Sequence, residues 1–140
     1  MHWSTESLRK LDRLHPALVG VLERALGYNL MDMTIIETVR SKEKQDEYYR
    51  TGKSRVRWPY GKHNVTATKP LSRAVDVAPY IAGKGLSWDS RHCLFMAGMI
   101  LAAAKEEGVP VRWGGNWDMD GEPVTDQDFQ DLVHFELREV

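Results

Sequence analysis

A chain of 140 residues, 42% hydrophobic and 28% charged, is long enough for one globular domain with a substantial core. Its formal net charge of −1 gives no electrostatic reason to expect a nucleic-acid partner, and its single cysteine excludes an internal disulfide. No apolar run is long enough to insert into a bilayer, and the polar N-terminus does not resemble a secretory signal. We therefore expect one domain over residues 1–140, a monomer made in the cytoplasm.

Apolar periodicity predicts two helices at the start of the chain. Residues 4–14 place Leu8, Leu11 and Leu14 on one face. A proline at a tolerated first position and a glycine at the end delimit a second helix over 16–27. The second helix should bury a stripe formed by Leu18, Val19, Leu22 and Leu26.

The next part of the chain alternates between strands and polar segments. A β-branched run over 33–40 predicts a strand, and the polar residues 42–50 predict a short helix after it. Residues 51–72 contain glycines and prolines without periodicity, which predicts a long loop, and loops of this length are usually functional or disordered. The apolar run 74–78 predicts a buried strand that Pro79 ends.

The last third of the chain begins with the longest helix, over 88–107, whose Met-rich face we interpret as core packing. A strand over 109–114, a Gly/Asp-rich loop over 115–128 and a final strand over 132–137 complete the sequence. This order predicts an α+β domain in which helices pack on a small, mainly antiparallel sheet.

Ionisable side chains interrupt two of the buried strands. Asp76 lies in the apolar run 74–78, where an ionised carboxylate is costly unless it meets a cation or strong donors. His134 lies in a similar strand, and His63 precedes the first of them in the long loop. Two histidines and an aspartate on rigid elements make a three-ligand metal site with an open fourth position. The alternative is a core Asp–His ion pair with His63 in a solvated loop.

The final strand carries further polar groups. Its period-2 alternation places His134 and Glu136 on the face opposite its apolar residues. Asp131, three residues before His134, can reach a water bound to the same metal and take its proton, and Glu136 can orient a ligand histidine. The alternatives are a solvent-exposed polar face and a surface acid at Asp131.

Arg40 closes the first predicted strand. A guanidinium at a strand end can offer a fixed pair of donors to a carboxylate or a developing oxyanion. Most arginines, however, are surface charges, so this residue carries little weight by itself.

An acidic motif occupies the Gly/Asp-rich loop. Asn116, Asp118 and Asp120 have the oxygen spacing of the first half of a calcium loop. Position twelve of that count is Gln127 instead of a bidentate glutamate. The spacing therefore leaves two interpretations, a Ca²⁺ site and a solvated turn at the rim of the active site, and it favours the turn.

Taken together, these motifs resemble a known family. The chain is similar to the VanY-like zinc D-alanyl-D-alanine carboxypeptidases, and within that group to phage L-alanyl-D-glutamate endopeptidases. The similarity covers roughly residues 16–140. It rests on Val39-Arg40-Ser41 with Gln45, Lys62-His63, Ser72-Arg73-Ala74-Val75-Asp76, Val111-Arg112-Trp113-Gly114-Gly115-Asn116-Trp117-Asp118 and Asp131-x-x-His134-x-Glu136.

The resemblance implies a Hedgehog/D-Ala-D-Ala peptidase-like fold and assigns a role to each residue of the site. His63, Asp76 and His134 would bind Zn²⁺, Asp131 would be the general base, and Arg40 would stabilise the oxyanion. Around them we expect residues that orient the ligands or contact the substrate: Glu136, Gln45, Tyr48, Trp113 and Trp117. The three aromatic side chains are alternatively core residues.

Two departures from the family pattern concern the region before Asp76. The family histidine and aspartate are seven positions apart, whereas His63 and Asp76 are thirteen apart. The family glycine four positions before the aspartate is Ser72. Both departures predict an inserted excursion over residues 64–71.

The function implied by the resemblance is hydrolysis of peptidoglycan stem peptides by an endolysin without a separate wall-binding domain. Such an enzyme would be made in the host cytoplasm without a signal peptide and would need a holin to reach the wall. The alternatives are a D-alanyl-D-alanine carboxypeptidase or dipeptidase on the same site, and a non-catalytic zinc-binding recognition module of the same fold.

Overall fold

The computed structural model describes residues 1–121 and 131–138. It contains four helices and five strands in the described residues. The helices are α1 (Thr5–Leu11), α2 (Pro16–Gly27), α3 (Lys42–Thr51) and α4 (Ser90–Glu107); the strands are β1 (Asp32–Glu37), β2 (Ala74–Ile81), β3 (Gly85–Leu86), β4 (Val111–Gly114) and β5 (Asp131–Leu137).

The strands form one antiparallel sheet in the order β1-β2-β5-β4, and the short β3 pairs with the far end of β2. In the register between β2 and β5, Asp76 lies directly opposite His134. The helices pack on this sheet, so the predicted α+β class is confirmed. The two-residue β3 was not predicted, because so short a pair of residues has no period to detect.

One hydrophobic core lies between the sheet and the helices α1, α2 and α4. Leu18 and Leu22 of α2 are buried with Met96 of α4, which confirms the Met-rich face as core packing. Ile35 of β1 and Phe135 of β5 meet them from the sheet. This core holds the strands that carry the polar residues of the opposite face.

The first helix is shorter than predicted. It ends at Leu11 instead of residue 14, and Leu8 is 52% exposed, so Leu8 does not share a buried face with Leu11 and Leu14. Leu14 is buried beyond the end of the helix, because it forms a parallel bridge with Ser72. The apolar spacing of the sequence extends past the end of the helix because Leu14, which is in the following loop, also packs into the core.

Pro79 does not end its strand, contrary to the prediction. β2 continues to Ile81, and Pro79 pairs with Met33 of β1. β5 pairs with β2 only over residues 74–76, and β3 pairs with β2 from Tyr80 onward. The Pro79 carbonyl accepts from the backbone N–H of Ser87 at 2.9 Å. Pro79 therefore lies between these two ladders, where a residue without an N–H group is tolerated.

The long loop after α3 has defined structure. Its inserted part turns back at Thr66 and Lys69, whose backbone groups bond each other at 2.9 and 3.2 Å. Residues 67–70 are exposed, whereas Asn64 and Ser72 on either side are buried. The insertion is therefore an outward excursion that returns the chain to β2, as predicted. No helix in the described ranges is both long and apolar enough to cross a membrane.

Candidate metal centre and active site

Three predicted ligands converge on one point. Asp76 Oδ1 lies 3.2 Å from His63 Nε2 and 3.1 Å from His134 Nδ1. The ligand atoms all lie within 4.8 Å of one another, and the histidine rings stand edge to face with centroids 5.1 Å apart. Asp76 and His134 face each other because their strands pair at these positions, and the loop brings His63 to the same face. The group can hold a metal ion.

A backbone carbonyl fixes the orientation of His63. Its Nδ1 lies 2.7 Å from the carbonyl oxygen of Thr38, so Nδ1 carries the proton and Nε2 keeps its lone pair for a metal. The buried Ser72 hydroxyl lies 2.6 Å from the same oxygen. The backbone N–H of Arg40 also donates to the carbonyl of His63 at 2.9 Å. The insertion therefore leaves His63 firmly held beside the strand ends.

His134 has a carboxylate on each side of its ring. Nε2 lies 2.8 Å from Glu136 Oε1, and Nδ1 faces Asp76. Burial alone would lower the pKa of His134, but hydrogen bonds to Asp76 and Glu136 raise it to about 9. Glu136 in turn accepts from Arg112 Nη2 at 2.9 Å. The predicted proximity of Glu136 to the ligand histidine thus agrees with the structure.

The histidines also control the ionisation of Asp76. Burial opposes the charged form, but the contacts of the carboxylate with His134 and His63 hold the pKa of Asp76 well below its usual range. The carboxylate is therefore ionised in a nearly buried position, as a metal ligand must be.

Asp131 opens β5 at the edge of the site. It pairs with Gly114 of β4, and a Cβ on that glycine would lie 2.1 Å from the carbonyl oxygen of Asp131. Only glycine permits this approach. Burial, and then the charge of Asp76, raise the pKa of Asp131 above its usual value. A carboxylate with a raised pKa is a stronger base.

Arg40 is held by a residue that the sequence analysis missed. Glu37 Oε1 accepts from Arg40 Nε at 2.7 Å and lies 2.5 Å from Nη2. Gln45 Oε1 accepts from Nη1 at 3.1 Å, and Nη2 lies 3.7 Å from Asp76 Oδ2. The guanidinium is stacked 4.7 Å from the centre of the Tyr48 ring. The Nε donor and one donor of Nη1 form these hydrogen bonds, so both terminal nitrogens keep N–H groups for a further acceptor.

Gln45 connects Arg40 to the long loop. It is 1% exposed, and its Nε2 donates to Ser54 Oγ at 3.0 Å and to the Val56 carbonyl at 2.6 Å. Asn64 Nδ2 donates to Gln45 Oε1 at 3.2 Å. Gln45 therefore orients Arg40 and fixes the loop, and it has no exposed surface to offer a substrate.

These groups line one cleft of ≈ 640 Å³. Its described lining comprises the metal-binding group, Arg40, Gln45, Asp131, Arg112, Trp117 and Glu136, and a wall from the long loop and the end of α3: Tyr48, Lys53, Ser54, Arg55, Val56, Tyr60, Gly61 and Lys62. Such a mixture of apolar area and convergent polar groups is typical of a substrate site.

The three aromatic residues predicted as substrate contacts have different positions. Tyr48 and Trp117 line the cleft, and the Trp117 ring centre lies 5.5 Å from that of His134. Trp113 is a correction: it is 5% exposed in the core and donates its indole N–H to the Leu132 carbonyl at 2.9 Å. Alternation along β4 turns its side chain to the core, which was the second interpretation of this residue.

The acidic motif forms a compact turn. In the amide orientation that satisfies both neighbours, the Asn116 side-chain nitrogen donates to Asp118 Oδ1 at 3.0 Å and to Asp120 Oδ1 at 3.2 Å. The backbone N–H of Asp120 also donates to Asp118 Oδ1 at 3.3 Å. The predicted remaining part of a calcium loop, up to Gln127, lies outside the described residues. The turn thus satisfies its carboxylates through its own donors.

Comparisons with known proteins agree on one family. The sequence pattern of the family described as phage L-alanyl-D-glutamate peptidase matches residues 1–138. The L-alanyl-D-glutamate peptidase of Escherichia phage T5 is 28% identical over 117 residues, which cover 83% of this chain and 81% of that protein. The crystal structure of the Serratia marcescens L-Ala D-Glu endopeptidase ChiX is similar, with a TM-score of 0.75 and 30% identity over 98% of this chain and 90% of that one. The chain therefore belongs to the phage L-alanyl-D-glutamate peptidase family.

Proposed function

We propose that the protein is a zinc endopeptidase that hydrolyses the L-alanyl-D-glutamate bond of peptidoglycan stem peptides, in the manner of a phage endolysin. The observation that carries the proposal is the convergence of three ligand atoms with Asp131 and Arg40 in one cleft. Membership of the peptidase family supports the choice of bond.

The donor set supports zinc as the metal. Neighbouring ligand atoms of a tetrahedral zinc site lie about 3.3 Å apart when the metal–ligand distances are about 2.0–2.1 Å. Asp76 Oδ1 lies 3.2 and 3.1 Å from the nitrogens of His63 and His134. When bound, a zinc ion would supply Lewis acidity that polarises the scissile carbonyl and acidifies the attacking water.

The protein's own groups have two tasks in this proposal. Asp131 accepts a proton from the attacking water and delivers it to the leaving amine of the D-glutamyl residue. Arg40 directs its remaining N–H groups at the oxygen that becomes negative in the tetrahedral transition state. Because Glu37 and Gln45 already hold the guanidinium, little reorganisation is needed at the moment of reaction.

Digestion of purified peptidoglycan, followed by mass spectrometry, tests this function. New amino-terminal D-glutamyl products are expected from the native protein, and none after EDTA treatment or with His134→Ala. Defined stem peptides separate the alternatives, because a D-alanyl-D-alanine carboxypeptidase would release terminal D-alanine and a recognition module would release nothing. Either of the last two results from zinc-loaded protein would overturn the proposal.

The site of action follows from the substrate. The enzyme would act on the cell wall, and a phage protein made in the cytoplasm would need a holin to reach it.

We also retain Ca²⁺ at Asn116, Asp118 and Asp120 as a proposal of lower rank, because the amide donation within this turn satisfies the carboxylates without an ion. Calorimetric titration of Ca²⁺ into zinc-loaded protein tests it.

A further inference from the structure

The described lining of the cleft contains five cationic residues, Arg40, Lys53, Arg55, Lys62 and Arg112. Arg40 is paired with Glu37, and Arg112 is paired with Glu136. The ammonium group of Lys53 also lines the cleft, on an exposed residue, and no carboxylate of residues 1–121 or 131–138 lies within ion-pairing distance of it. Lys53 is therefore available to an anionic group of a bound ligand.

The Tyr48 ring supports Lys53 beside the reacting groups. The ammonium nitrogen of Lys53 lies 5.4 Å from the ring centre, and the guanidinium carbon of Arg40 lies 4.7 Å from it. The two cations are thus at most about 10 Å apart, the sum of these two distances. Lys44 is also 5.4 Å from the ring centre, but Glu37 holds it at 2.7 Å. An aromatic face under an ammonium group favours one position of an otherwise mobile side chain.

We propose that Lys53, supported by Tyr48, binds the free carboxylate of the D-glutamyl residue on the leaving side of the scissile bond. This inference rests on the proposed function and assigns a specificity-determining residue to it. Glutamate has two carboxyl groups, and only one of them can continue the stem peptide. The other remains ionised. Where the side-chain carboxyl continues the stem peptide, this free carboxylate lies on the Cα next to the bond that is cut.

The spacing of the two cations fits this substrate. A carbonyl oxygen on Arg40 would lie about 2.9 Å from a guanidinium nitrogen, and a lysine–carboxylate contact spans about 2.8 Å. Within the substrate, the scissile carbonyl oxygen and an oxygen of the carboxylate on the next Cα are about 5 Å apart in an extended peptide. An extended substrate therefore spans up to about 11 Å, which is enough to reach across the separation of at most about 10 Å between Lys53 Nζ and Arg40 Cζ. One substrate can therefore contact both cations at once.

Paired substrates test the assignment. We would measure kcat/KM of the zinc-loaded enzyme on an L-alanyl-D-glutamyl stem peptide and on the same peptide with the free glutamyl carboxylate converted to a carboxamide. The variants are Lys53→Met, which removes the charge and keeps the length, and Lys53→Arg, which keeps the charge. Lys69→Met, in the exposed excursion and away from the cleft lining, is the control.

The native enzyme and Lys69→Met should prefer the carboxylate peptide about tenfold, the effect of one charge-assisted contact in an open cleft. Lys53→Met should lose this preference, with its rate on the carboxamide within about twofold of native, and Lys53→Arg should keep most of it. A Lys53→Met enzyme that retains the preference, or that slows equally on both peptides, would overturn the assignment. So would a native enzyme that cleaves both peptides equally. Failure of the native enzyme to cleave either peptide would instead contradict the proposed function itself.

Discussion

Replacing Glu37 by glutamine should reduce catalysis without removing the metal. Glu37 pairs with Asp76 through the backbones of β1 and β2, but its side chain holds Arg40. Its Oε1 accepts from Arg40 Nε at 2.7 Å and lies 2.5 Å from Nη2, and the side chain is 9% exposed. The introduced amide would present one weaker acceptor in the same volume and no charge. The guanidinium should then move toward Asp76 Oδ2, which already lies 3.7 Å from Nη2. Its donors would no longer face the developing oxyanion.

The size of the effect follows from the contacts that are lost. A hydrogen bond to a charged group contributes about 1.5–3 kcal/mol, and the substitution removes roughly one such contribution. If that energy serves the transition state, kcat falls about 10- to 100-fold while KM changes little. Arg40 and Glu37 should also be strongly coupled, so Arg40→Lys combined with Glu37→Gln should cost less than the two single effects together.

The assay compares kcat and KM on a defined stem peptide with zinc content and thermal stability. The matched control is Lys44→Met, which removes the exposed partner of Glu37 Oε2 and leaves the bonds to Arg40 intact. This control should stay within about threefold of native kcat. The reasoning fails if Glu37→Gln keeps native kcat, or if it loses zinc in proportion to activity, since Glu37 would then serve the fold or the metal instead of Arg40.

Three further outcomes are expected from the metal centre. Asp131→Asn should give a folded, zinc-loaded enzyme with kcat reduced about 10²–10⁴-fold, whereas Asp76→Asn should lose zinc as well, as measured by metal analysis; native turnover in Asp131→Asn would exclude it as the base. Zinc binding to the metal-free protein at neutral pH should release about one proton from His134, whose pKa is raised to about 9. Apparent affinity should therefore increase with pH up to about 9, and calorimetry in buffers of different ionisation enthalpy measures the released proton; a pH-independent affinity would contradict this. Shortening the excursion over residues 65–70 should leave zinc content unchanged, because the backbone contacts of Arg40 with His63 lie outside it; loss of the metal would show that the excursion supports the site.

The sequence was sufficient to predict a site residue where the chemistry of its side chain requires particular surroundings. A charged residue inside an apolar strand was enough to single out Asp76 and His134, because the cost of burying such groups requires partners. The carbonyl of Thr38 could not be found in this way, since any residue supplies the same acceptor there. Glu37 was missed for another reason: its acidic side chain at a strand end differs from a surface acid only through its contact with Arg40. Trp113 was assigned to the substrate because the sequence does not show which face of β4 its side chain occupies. That direction depends on the register of the strand, in which Trp113 pairs with Phe135.

The register of the sheet links the stability of the core to the chemistry of the site. Asp76 and His134 are partners across β2 and β5, while their neighbours Val75 and Phe135 pair on the core face and are fully buried. A slip of one residue between these strands would bring Phe135 to the polar face and His134 into the core. Such a slip would expose a large apolar side chain and bury a histidine away from its carboxylates, so the core strongly favours the register that assembles the metal centre. The two ligands on these strands are therefore aligned before any metal binds, and the energy of metal binding need not be spent on ordering them.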